Sequence, residues 1–120
     1  MTTLQRWMCR IPAIALSIAF FVASSRADVV SQPFPLADKL YHATAYAVYG
    51  WVVALAVGTF PLAPRRRAIV ALAVALVFAA SDEVHQSFVP GRTADFFDWC
   101  ADAVGAAVGL TVSTRHNANT

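Results

Sequence analysis

Long apolar runs separated by short polar breaks set the pattern of this chain. Residues 7–23, 40–62, 68–86 and 96–112 are dominated by Leu, Ile, Val, Ala and Phe, and each approaches or exceeds the ~17–25 residues with which an α-helix crosses a hydrocarbon core. The pattern predicts an all-α polytopic membrane protein, a bundle of four transmembrane helices in a single domain over residues 1–120. Two breaks are sharp. Pro61-Leu62-Ala63-Pro64 precedes Arg65-Arg66-Arg67, and Phe88-Val89-Pro90-Gly91 precedes Arg92. The polar stretch 114–120 reads as a frayed tail.

The first run admits a second reading. Arg6 and Arg10, an apolar centre and Ser25-Arg26-Ala27 resemble the three regions of a cleaved signal peptide, and its removal would leave the other runs intact.

Composition agrees with a membrane protein: the 120 residues are 58% hydrophobic and 13% charged, with a mean hydropathy of +0.57. Such usage excludes an ordinary soluble enzyme, a disordered tail and a nucleic-acid-binding module. Cys9 and Cys100 lie far apart in sequence and read as packing residues.

The basic residues predict orientation. A cytoplasmic N-terminus puts Arg6, Arg10, Arg65, Arg66, Arg67 and Arg115 inside, against Arg26, Lys39 and Arg92 outside, so both termini are expected in the cytoplasm. Every acid, Asp28, Asp38, Asp82, Glu83, Asp95, Asp98 and Asp102, then falls on the outer side. Any chemistry is expected there.

Helical spacing groups these charges. Asp38, His42, Tyr46 and Tyr49 recur at separations of four and three and share a face. Asp95, Asp98, Asp102, Gly105 and Gly109 form another, carboxylate above and small residues below, the latter a pattern that admits a neighbouring backbone. Asp102 is the costliest member, because an aspartate at a helix centre costs about 2.5–3.5 kcal/mol on insertion scales. Asp82 and Glu83 end the third run, with Gln86 one turn on. Intramembrane ionisable groups mark functional sites, so these residues form the candidate polar pocket, with Arg92 expected as its main counter-charge. Asp38 and Lys39 also fit a simple interfacial cap. Arg65–Arg67 read as a topology anchor, and His85 lacks the second histidine of a zinc-protease helix.

These residues bring a family into view. Asp38-Lys39-x-x-His42-x-x-x-Tyr46, followed by Asp82-Glu83-x-x-Gln86-x-Phe88-x-Pro90-Gly91-Arg92-x-x-Asp95-x-x-Asp98-x-x-x-Asp102-x-x-Gly105, resembles the VanZ-like membrane proteins over residues 36–110. One departure is Asp102, where that family commonly has Asn. The resemblance implies a small integral protein of the bacterial inner membrane, and the family name comes from resistance to the glycopeptide antibiotic teicoplanin.

Two functions remain open from sequence. One is a binding or envelope-modulating protein whose outer pocket holds an amphiphile, a lipid-linked cell-wall precursor or a glycopeptide, with membrane lipids as its other partners and no cofactor. Arg92 and Lys39 would meet its phosphate or carboxylate groups. The other is a membrane-embedded enzyme acting on a lipid-linked substrate, with His42 as general base and Asp82, Glu83 and Asp98 orienting it or holding a divalent metal. No metal spacing is established by the sequence.

Overall fold

The computed structural model describes residues 1–26, 34 and 36–119, and among them the protein is all helical. Four helices follow one another: α1 (Thr3–Ser24), α2 (Ala37–Val57), α3 (Pro64–Ser87) and α4 (Phe96–Ala118). They alternate in direction. Arg10 of α1 meets Thr59 just beyond α2, Ser25 after α1 meets His85 near the end of α3, and Glu83 of α3 meets Asp95 at the start of α4. The molecule is 45 Å long and 24 by 21 Å across, a length close to that of a bilayer with its headgroups, about 40–45 Å.

Local chemistry adjusts the expected boundaries. α1 begins at Thr3 because Thr2 and Gln5 form a capping box, with Gln5 N donating to Thr2 Oγ1 at 3.2 Å and Thr2 N donating to Gln5 Oε1 at 2.7 Å. α2 starts earlier than the apolar run and stops at Val57, not Leu62, as Gly58 and Thr59 turn the chain ahead of Pro61. Pro64 occupies the first helical position of α3, where its missing N–H costs nothing, so Arg65–Arg67 form the first turn of that helix. The expected frayed tail is instead helical to Ala118. Asp28 lies outside the described residues.

The packing is the reverse of a soluble bundle. Large apolar side chains face outward, among them Leu4, Ile11 and Ile18 on α1, Val77 on α3 and Val104 on α4. The interior is built from small residues, two tyrosines, two valines and a set of polar side chains. Ala71, Ala75 and Ala79 line the inner face of α3 and pack with Tyr46, Tyr49, Val53 and Ala106. α1, α2 and α3 are each long and apolar enough to cross a membrane; α4, with Asp98 and Asp102 inside it, is less clearly apolar. Together these features define a membrane protein.

α2 makes its largest interface with α4. A Cβ on Gly105 would lie 2.1 Å from Ala43 O, one on Gly109 1.8 Å from Ala47 O, and one on Gly50 2.3 Å from Ala106 O. Backbone meets backbone at these points, and no side chain fits between.

Candidate functional site

The inner faces of three helices turn from uncharged to charged at the same end. On α3 the stripe Ala71–Ala75–Ala79 runs directly into Asp82, Glu83 and Gln86, all buried. On α4 the buried Gly109 and Gly105 lead to Asp102 and Asp98. On α2 the buried Tyr49 and Tyr46 lead to His42, then Asp38 and Lys39, which are partly exposed. A face that packs tightly below therefore buries its acids above. Burial here comes from register, not from loop closure.

Lys39 supplies the positive charge. Its Nζ donates to Asp95 Oδ2 at 2.8 Å and to Asp98 Oδ1, and lies 3.6 Å from Asp38 Oδ2. Beside this ammonium, the Asp95 carboxyl is held below the ordinary carboxylate range. Asp95 also caps α4, its Oδ1 accepting from Phe97 N at 2.8 Å. Its own N–H donates to Glu83 Oε2 at 3.1 Å, tying α3 to the start of α4.

One turn deeper, His42 links α2 to α4. Nδ1 lies 2.7 Å from Asp102 Oδ1, while Nε2 lies 3.6 Å from Asp98 Oδ2 and 3.8 Å from Asp38 Oδ1. With its proton on Nδ1 the ring donates to Asp102 and leaves Nε2 facing the upper acids. Asp102 is completely buried. Tyr46 Oη, Asp82 Oδ1, Glu83 Oε1 and Asp102 Oδ2 are buried with no hydrogen-bond partner among the described residues.

The expected role of Arg92 requires correction. Arg92 makes no ion pair with any described acid, whereas Lys39 contacts three. Gly91, with φ 81°, turns the chain here, and Arg92 N bonds back to Val89 O at 3.1 Å. The Arg92 side chain is outside the ion-pair network that Lys39 forms. His42, Glu83 and Asp98 do converge, without Arg92.

Two neighbouring features were absent from the sequence reading. A groove of about 370 Å³ lies between α3 and α4, lined by Ala80, Glu83, Ala94, Asp95, Phe96 and Trp99. Trp99 is fixed by its indole N–H, which donates to Leu76 O at 3.2 Å. His85 stacks on Phe21 at 4.5 Å between ring centroids and bonds through Nε2 to Ser25 Oγ at 2.8 Å, so it joins α1 to α3. An aromatic one residue past a carboxylate was the only sequence signal for Trp99.

The fold and its charged end thus describe a small helical membrane protein with a polar cluster at one end. The VanZ/LLP1 family model matches residues 5–115, and the chain belongs to this family. The match takes in α1, which carries none of the motif residues. No curated protein matches the chain, and no solved structure does.

Proposed function

We propose that this protein binds an amphiphile of the bacterial cell envelope, a lipid-linked cell-wall precursor or a lipidated glycopeptide, at the outer leaflet of the inner membrane. The observation that carries this reading is the α3/α4 groove. Ala80, Phe96 and Trp99 give it apolar walls, while Glu83 and Asp95 give it a polar end beside Lys39. A chain would lie along the first set and a head group would meet the second. Since Lys39 is already shared among acids, the free capacity is mainly for acceptance, which suits hydroxyl, amide and amine groups. Both termini lie in the cytoplasm in this reading, in keeping with the basic residues of the short loops.

The test uses teicoplanin and its non-acylated form as probes for the detergent-purified protein. Acylated compound should bind at least about tenfold more tightly, because only it places methylene groups in the groove. Equal affinity for the two, or no binding of teicoplanin or of a polyprenyl-linked precursor, would overturn the proposal.

A second reading, an enzyme acting on a lipid-linked substrate, is favoured by the Asp102–His42 pair. Asp102 would orient the ring and His42 Nε2 would accept a proton from a substrate hydroxyl or water. Under this reading His42→Gln abolishes turnover of a lipid-linked precursor while leaving its binding intact.

A further inference from the structure

The charges at this end fall into two tiers with unequal compensation. Lys39 serves the upper tier of Asp38, Asp95 and Asp98. No lysine or arginine among the described residues makes an ion pair with the lower tier. There, one donor atom from each of His42, Glu83 and Asp102 lies within 4.8 Å of the other two. Glu83 is 7% exposed and Asp102 0%, and Glu83 Oε1 and Asp102 Oδ2 lack a hydrogen-bond partner among the described residues. Two buried carboxylates turned toward one histidine, each with an unsatisfied oxygen, form an incomplete electrostatic unit.

We infer that His42, Glu83 and Asp102 bind a divalent first-row metal ion, Zn²⁺ or Mn²⁺. The donor set decides the class: carboxylates alone suit Mg²⁺ or Ca²⁺, while an added imidazole shifts preference toward first-row ions, Zn²⁺ through the imidazole and Mn²⁺ through the carboxylates. Around such an ion, ligand atoms stand roughly 3–3.5 Å apart. The side chains reach that spacing by torsion changes, with the 2.7 Å His42–Asp102 separation opening slightly. Three protein ligands leave coordination positions for an outside oxygen, and Glu83 also lines the α3/α4 groove. This site does not depend on the amphiphile reading.

The test is uptake of Zn²⁺ or Mn²⁺ by the full chain in detergent, stripped with EDTA and re-equilibrated without amphiphile, with metal measured by mass spectrometry after gel filtration. About one ion per chain is expected. Glu83→Gln and Asp102→Asn should each weaken uptake at least about tenfold while the helical circular dichroism and monodispersity persist. Val108→Ala, on the outward side of α4, should leave uptake unchanged. Pulsed electron paramagnetic resonance of the Mn²⁺-loaded wild-type chain should show imidazole nitrogen coupling, a readout independent of whether the variants fold. No stoichiometric uptake of either ion, uptake unaltered in folded Glu83→Gln and Asp102→Asn, or absence of nitrogen coupling in a chain stoichiometrically loaded with Mn²⁺ would each overturn the inference. Teicoplanin binding measured in EDTA reports separately on the amphiphile proposal.

Discussion

His42 Nδ1 lies 2.7 Å from Asp102 Oδ1, joining residues 60 positions apart in the chain. That contact sets the depth of the polar end, because it lies one helical turn beneath the Lys39 bridge and one turn above the Gly105–Ala43 approach. The two long partners α2 and α4 are thus clamped by charge above and by bare backbone below.

Lys39 should matter more than Arg92. Lys39→Met leaves Asp98 buried beside other acids, and the expected loss is about 1–3 kcal/mol, between the values for exposed and buried pairs. Lys39→Arg should recover part of it. Arg92→Ala, with no ion pair to a described acid to lose, should change stability by no more than about 0.5 kcal/mol. Thermal unfolding of the purified protein in detergent compares them.

Gly109→Ala should separate α2 from α4. The added methyl would lie 1.8 Å from Ala47 O, a backbone atom with no rotamer in which to retreat. A cost of about 1–3 kcal/mol follows for overpacking. Val108→Ala, on the exposed side of the same helix, serves as a control and should be nearly neutral. Midpoint temperatures in detergent measure both.

Ala80→Trp should fill the α3/α4 groove without touching the core, since Ala80 is exposed and lines it. Teicoplanin binding should fall at least about tenfold, the loss expected when burial of several methylenes is denied, while thermal stability is retained. Undiminished binding would exclude the groove as the tail site.

The distribution of basic residues predicts an outer α3–α4 turn. A reporter active only outside the cytoplasm should work when inserted at Gly91 and fail in the α2–α3 turn at Ala63. Activity at Ala63 alone would reverse the orientation.

The apolar runs made the helices legible, because hydropathy over some twenty residues needs no partner to be read. Their ends were less so: the run through Leu62 hides the Gly58–Thr59 turn, and the polar tail gave no sign of helix to Ala118. Within single helices the charged faces were readable from spacing. What spacing cannot give is the rotation of one helix against another, and this is what selects Lys39 over Arg92 as the cation and brings Gly50 against Ala106. The groove was invisible for the same reason, as Ala80 and Trp99 belong to different helices.

The α2–α4 interface also constrains biogenesis. α2 leaves the ribosome well before α4, yet its closest partners, Asp98, Asp102, Gly105 and Gly109, are on α4. Until those residues emerge, the polar face with Lys39 and His42 must be held somewhere other than open hydrocarbon, at the headgroups or beside an insertion factor. Truncation before α4 therefore yields a chain whose second helix lacks its mate, a natural substrate for membrane quality control.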